Sequence, residues 1–422
     1  MPNTWRKAYD ELSDYIDKHP NIEIGMNVVA ISEDVRPEFY RLFDTVRVNF
    51  IKDKFPASLE KGYALSKSFA EIKGDVIDNL DLEGINVRSS VNWFLLDPVN
   101  GLMRLLFDPL FDLLKGKIDP PIFERISAQE VEEAFKDFFR DGYQRWVTLE
   151  LVALLTPDKN YHVQEADYHT NTSMIEGVQG HGLREEAVPE AKEAKSISFE
   201  ARLLSSFVVP RVLVHSARLG RYAAMHSDFN DAHCTARLVS QNQEWLNIKD
   251  LKKEFGLSKL WPDLAIYTGD ELGDMALVAD YSRVARPDII VEVMEEKDWF
   301  ERGELELVKR HYHALQPKLG SFVVCREPVS EAVLRELEPE TAPLTQAASK
   351  SATPSAAPQP SPLPEAQATA GQTTQPLASS EPEPVTGPAL PIHLLSVGYN
   401  AAKLETIIEA ITEARKKSEG DS

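Results

Sequence analysis

Two Pro–Asp steps, Pro262-Asp263 and Pro287-Asp288, each lead directly into a short run of apolar residues. The second run, residues 289–294, carries a carboxylate at Glu292 among Ile, Val and Met side chains. A carboxylate in a buried strand costs free energy unless a partner offsets its charge. A metal ion is one such partner, and carboxylate oxygens suit Mg²⁺. Because a bound Mg²⁺ can polarise a phosphodiester and activate water, this spacing indicates a metal-dependent hydrolytic site.

Side-chain alternation decides which of these acids can meet. Residues two apart in a strand share a face, so Asp288 and Glu292 point to the same side of their strand. Asp263 begins the preceding predicted strand, residues 264–267. We expect Asp263 and Glu292 to bind Mg²⁺ or Mn²⁺, with Asp288 as a third candidate. The alternative is conformational: Asp is common after Pro in turns, and Glu292 would then be an edge-strand acid in water.

The order of these elements resembles the PD-(D/E)XK superfamily of restriction-endonuclease-like nucleases, in which Pro-Asp begins one strand and Glu-x-Lys ends the next. The chain is most similar to a nuclease-like branch that is expanded in cyanobacteria. The matching elements are Pro262 to Ile266, Pro287 to Val293, Lys309-Arg310 with Tyr312, and Phe322 to Cys325. The resemblance implies an α/β fold with a restriction-endonuclease-like mixed sheet and flanking helices, Mg²⁺-dependent catalysis, and DNA or RNA as substrate.

The chain departs from this pattern at the lysine, because the position two residues after Glu292 is Met294. The resemblance implies that the lysine has moved to the following helix, which nominates Lys309 to orient water or stabilise developing charge. Lys297 is a second candidate, and Glu150 is a candidate for an additional acid on the first helix of the domain. Without a lysine at the acids, the chain would be an inactive nuclease-like scaffold that binds protein partners.

Histidines offer two further groups. The segment His226–Cys234 places five potential ligands within nine residues, and zinc accepts His, Cys and carboxylate. No recognised zinc spacing is met, so a polar loop with a buried cysteine is the better interpretation. His311 and His313 flank Tyr312, and we expect them to face solvent or to act as capping partners.

The chain divides by pattern and composition into four regions. Residues 1–140 read as mainly helical, and residues 141–337 as the α/β domain. Residues 338–390 are rich in Pro, Ala, Ser, Thr, Gln and Glu, so they cannot bury enough surface to fold and are expected to be disordered. Residues 391–418 predict a final strand and helix that dock onto the α/β domain, which makes the disordered segment an insertion.

The net charge of −21, from 67 acidic and 46 basic residues, argues against broad non-specific binding to nucleic acid, which needs a positive surface. This net charge is compatible with a local basic groove. It is also compatible with protein partners that bind the helical region and the Pro-rich segment. With only Cys234 and Cys325, the composition is typical of a reducing compartment. No apolar run approaches the roughly 20 residues needed to span a bilayer, so we expect a cytoplasmic protein without membrane contact.

Overall fold

The computed structural model describes residues 4–163, 191–200, 210–227, 236–238, 245–247, 262–272, 277–279, 283–331, 333–334 and 392–420. The helices are α1 (Thr4–Lys18), α2 (Arg36–Lys54), α3 (Pro56–Leu80), α4 (Ser89–Leu96), α5 (Pro98–Met103), α6 (Phe107–Leu114), α7 (Pro120–Leu154), α8 (Glu304–Leu315) and α9 (Glu405–Gly420). The segment 338–390, predicted to be disordered, lies outside the described residues.

Strands follow the same order along the chain. They are β1 (Ile22–Gly25), β2 (Val28–Ile31), β3 (Gly84–Asn86), β4 (Pro157–Val163), β5 (Ala191–Glu193), β6 (Ser196–Ser198), β7 (Val212–Ser216), β8 (Arg221–His226), β9 (Ala236–Leu238), β10 (Trp245–Asn247), β11 (Leu264–Gly269), β12 (Leu277–Ala279), β13 (Arg283–Ala285), β14 (Ile289–Met294), β15 (Gly320–Cys325) and β16 (Ile392–Ser396). The described residues therefore form a mixed α/β protein with most of their helices before the main sheet, as predicted.

The N-terminal helices pack around aromatic side chains. Trp5 from α1 contacts Phe50 of α2 and Phe123 of α7 with ring centroids 5.6 Å and 5.4 Å away. The apolar spacing of three and four residues in α1 places Trp5, Ala8 and Leu12 on the buried side. Such edge and tilted ring contacts stabilise a core beyond the area they bury.

Helix α7 is longer than its sequence signals predict. Ser127 and Glu130 form a capping-box pattern that predicts a start at Ser127, whereas the helix begins at Pro120, with the Asp119 carboxylate accepting a hydrogen bond from Ile122 N–H at 2.8 Å. Asp before Pro at the first helical position is a strong start signal. Ser127 lies buried inside the helix instead. The predicted boundary at residue 140 also falls within α7, and one continuous buried cluster joins the N-terminal helices to the sheet.

The density of Leu and Phe in residues 93–114 predicts a core helix broken near Pro109. It forms α4, α5, a 3₁₀ turn over residues 104–106, and α6. The first break lies at Asp97, whose side chain accepts a hydrogen bond from Val99 N–H at 3.0 Å. Pro109 lies in the first turn of α6, where its missing N–H disrupts no helical hydrogen bond.

The main sheet has the order β16-β15-β14-β11-β8-β7-β4-β5. Strands β14, β15 and β16 run parallel, and the remaining pairs are antiparallel. The final strand therefore lies beside β15 within this sheet. The Tyr143 hydroxyl donates a hydrogen bond to Gly398 O at 2.9 Å, which ties the end of the chain to α7.

Helices cover both faces of β14. Ile289, Val291 and Val293 belong to the buried cluster that contains α7, whereas Met294 packs with Leu305 and Val308 of α8. Because side chains alternate along a strand, Glu292 points to the α8 side. Across the described ranges, no helix combines the length and the apolar character needed to cross a membrane.

Candidate functional site

Strand pairing brings Asp263 and Glu292 together. Strands β11 and β14 are antiparallel, with Leu264 opposite Val291, so the next step of the register sets Asp263 opposite Glu292. Val293 N–H donates to Asp263 Oδ2 at 2.7 Å, and Asp263 N–H lies 3.4 Å from Glu292 Oε2. Side chains opposite each other in an antiparallel pair share a face. Both acids therefore lie on the α8 side of the sheet.

Asp263 is buried beside a second carboxylate. Burial, and to a smaller extent the neighbouring Glu292, raise the pKa of Asp263 to about 7, against a smaller lowering by the Val293 N–H bond and by His311. Two carboxylates in one poorly solvated place cannot both ionise cheaply. The arrangement thus favours a protonated Asp263 or a bound cation.

His311 completes the pair, and we predicted its position wrongly. Its Nδ1 lies 2.7 Å from Glu292 Oε1, and the two side chains are only 2% and 6% exposed. We expected His311 to face solvent or cap a helix. The apolar positions of α8 gave only a partial signal, because Leu305, Val308 and Leu315 leave a gap of seven residues that either position 311 or position 312 can fill.

Lys309 lies away from this contact. Its Nζ is 2.9 Å from Glu306 Oε1, one turn earlier on α8, and the side chain is 27% exposed. Within the described ranges, Glu306 is the acid with which Lys309 forms an ion pair. Lys297 is exposed beyond the end of β14. The group that contacts Glu292 from α8 is thus a histidine rather than either candidate lysine.

Asp288 performs a different task at the other end of β14. Its Oδ2 accepts hydrogen bonds from Thr268 N–H at 2.6 Å and from the Thr268 hydroxyl at 2.8 Å. Lys318 Nζ lies 3.0 Å from its Oδ1. Four residues of strand separate Asp288 from Glu292 by about 13 Å. Because β11 and β14 run in opposite directions, the start of β14 lies beside the end of β11. The bonds from Thr268 to Asp288 therefore join these two strand ends.

Helix α7 reaches the site through Gln144. Its Nε2 donates to Asp263 O at 2.7 Å, which fixes the backbone that carries the acid. Glu150 lies elsewhere on α7. Burial, and to a smaller extent Asp75 of α3, raise the pKa of Glu150 to about 7. The sequence nominated the acid Glu150 for a contact from this helix to the site. The structure makes that contact with the side-chain amide of Gln144. No sequence pattern distinguishes Gln144 from other buried positions of the helix.

His226 lies on the same face of the sheet, opposite Ala265 in β11. It is buried with its ring 5.4 Å from that of Tyr267, and burial lowers its pKa to about 3. The rest of the possible zinc segment, residues 228–234, lies outside the described residues. Among the residues described, no group of three or more His, Cys, Asp or Glu side chains is placed to hold a metal ion.

Carboxylate oxygens are the candidate ligands that remain among the described residues. Mg²⁺ is commonly held by one or two carboxylates, with water and substrate phosphate completing its octahedron. Asp263 and Glu292 are two carboxylates on one face, and the described residues place no third His, Cys, Asp or Glu with them as a metal-holding group. No family model, curated protein or solved structure is significantly similar to this chain.

Proposed function

We propose that this protein is a metal-dependent nuclease, with Asp263 and Glu292 as the ligands of Mg²⁺ or Mn²⁺ on a restriction-endonuclease-like sheet. The observation that carries the proposal is the register of β11 and β14, which sets the two acids opposite each other. A cation bound there would polarise a phosphodiester and lower the pKa of an attacking water. The chain's own residues orient the ligands: Gln144 and the Val293 N–H hold Asp263, and His311 holds Glu292.

The electrostatics of the pair support this function. Since burial and Glu292 raise the pKa of Asp263, the folded protein retains a charge conflict that a divalent cation would relieve. Catalytic sites concentrate perturbed acids of this kind. We leave Asp288 out of the proposed ligand set, because its Oδ2 accepts hydrogen bonds from the Thr268 N–H and hydroxyl.

The test is metal-dependent cleavage. Purified protein is incubated with single- and double-stranded DNA and with RNA, in Mg²⁺, Mn²⁺ or EDTA. We expect cleavage with either ion, none in EDTA, and losses of at least about 10³-fold in Asp263→Asn and Glu292→Gln. The matched control is Asp288→Asn, an acid on the same strand outside the pair. Activity that survives in both site variants at the wild-type rate would reveal a contaminant and refute the proposal.

A second function is favoured by a separate observation. Met294 occupies the position of the expected lysine, and the Lys309 ammonium pairs with Glu306. We therefore keep as an alternative an inactive nuclease-like scaffold that binds protein partners through its helical region and Pro-rich segment, which the net charge of −21 also favours. A wild-type protein that binds Mn²⁺ at the acids but cuts no nucleic acid would support this alternative.

A further inference from the structure

We propose that His311 is the residue that positions Glu292 for metal binding, in the place where the resemblance would put a lysine. The inference rests on the proposed function, because it assigns a role within the same site. His311 Nδ1 lies 2.7 Å from Glu292 Oε1, and both side chains are almost fully buried. The contact joins a helix to a strand across the α8 face of the sheet.

The two oxygens of Glu292 have different neighbours. Oε1 is held by His311, and Oε2 lies 3.4 Å from Asp263 N–H. The imidazole thereby fixes the plane of the carboxylate and leaves Oε2 on the side of Asp263. Metal-ligating carboxylates commonly depend on such outer hydrogen bonds, and their loss costs about 10- to 100-fold in metal affinity or activity.

Packing of α8 holds the imidazole in place. Leu305, Val308 and Leu315 are buried on the same side of the helix as His311, so the ring is presented by a fixed surface. Lys309 lies on a more exposed side and pairs with Glu306. The position of the helix therefore selects the histidine as the partner of Glu292.

The chemistry of the contact suggests which replacement should work. A carboxylate only accepts hydrogen bonds, so the hydrogen in this contact lies on Nδ1 of His311. Asparagine places its amide nitrogen close to the position of Nδ1, whereas glutamine places it near that of Nε2. His311→Asn should therefore preserve the contact, and His311→Gln and His311→Ala should lose it.

The experiment measures Mn²⁺ binding to the full chain by calorimetric titration, without nucleic acid. The variants are His311→Ala, His311→Asn and His311→Gln, with His313→Ala as the matched control two residues along the same helix. Circular dichroism and thermal unfolding check the fold of each variant. We expect Mn²⁺ affinity to fall about 10- to 100-fold in His311→Ala and His311→Gln, to recover at least in part in His311→Asn, and to stay at the wild-type value in His313→Ala.

The outcomes separate the two proposals. Wild-type Mn²⁺ affinity in a folded His311→Ala protein would overturn the positioning role, even if the wild type cuts nucleic acid. Equal losses in His311→Asn, His311→Gln and His311→Ala would overturn it as well, since they would reflect a packing role. The expected affinity pattern in a protein that cuts nothing would refute the nuclease and support the role of His311. Absence of any Mn²⁺ binding by the wild type would refute both.

Discussion

Replacing Asp263 by asparagine should stabilise the metal-free protein at alkaline pH. The amide oxygen of asparagine can still accept the hydrogen bond from Val293 N–H, so the change mainly removes a charge. In the folded protein the pKa of Asp263 is raised from 3.8 to about 7. Below pH 3.8 both states hold the proton and no penalty exists. As the pH rises, the unfolded chain loses the proton first, so the wild type loses stability until the folded pKa is passed.

The size of the effect follows from this difference in pKa. At about 1.36 kcal/mol per pH unit, the full penalty above pH 7 is about 4 kcal/mol. Roughly 2.5 kcal/mol of it develops between pH 5 and pH 8. Because Asp263 retains some contact with solvent, screening reduces the expected change to about 1–2.5 kcal/mol.

The assay is urea unfolding of wild type and Asp263→Asn in EDTA at pH 5 and pH 8, followed by tryptophan fluorescence. The advantage of the variant should grow by about 1–2.5 kcal/mol between the two pH values. Added Mg²⁺ should then stabilise the wild type but leave Asp263→Asn unchanged, since a ligand stabilises only the state that binds it. An advantage that is the same at both pH values, or a variant less stable at pH 8, would refute the reasoning about this acid pair.

Three further predictions concern neighbouring contacts. Asp288→Ala removes two hydrogen bonds to Thr268, so it should cost about 2–3 kcal/mol in unfolding experiments and leave Mn²⁺ affinity unchanged; a loss of affinity in a folded protein would return Asp288 to the site. Tyr143→Phe removes the bond to Gly398 O, so hydrogen exchange of β16 should accelerate by an amount equivalent to about 1 kcal/mol; unchanged exchange would show that the bond does not hold the strand. Lys309→Ala breaks the ion pair with Glu306, worth about 0.3–0.5 kcal/mol, and cleavage rates should change little; a loss beyond about tenfold in a folded variant would favour the lysine over His311.

The positions of Asp263 and Glu292 on their strands could be predicted from the sequence, because they depend on residues close to each acid. The period of two places Glu292 on a defined face of its strand, and the Pro–Asp step places Asp263 at a strand start. The pairing of β11 with β14 was not encoded in any single segment. Once these strands are antiparallel, Asp263 meets Glu292 and Asp288 meets Thr268, so two similar Pro–Asp steps acquire different roles.

Contacts from helices were harder to predict, because they depend on helix rotation and on distant packing. In α8, the apolar spacing allows either His311 or its neighbour Tyr312 as the buried position, and the structure buries His311. Likewise, Gln144 contacts Asp263 across 119 positions of sequence, and no local signal marks it. The start of α7 was missed for another reason: Ser127 and Asp119 both offer capping signals, and packing of Phe123 against Trp5 favours the earlier one.

The central claim is that Asp263 and Glu292 share one divalent cation. Its most direct test is anomalous diffraction from crystals of the full chain soaked in Mn²⁺. The account predicts one anomalous peak between the two carboxylates, within about 2–2.5 Å of an oxygen of each, and its absence in Glu292→Gln crystals. Peaks only elsewhere, or the same peak in the variant, would contradict it.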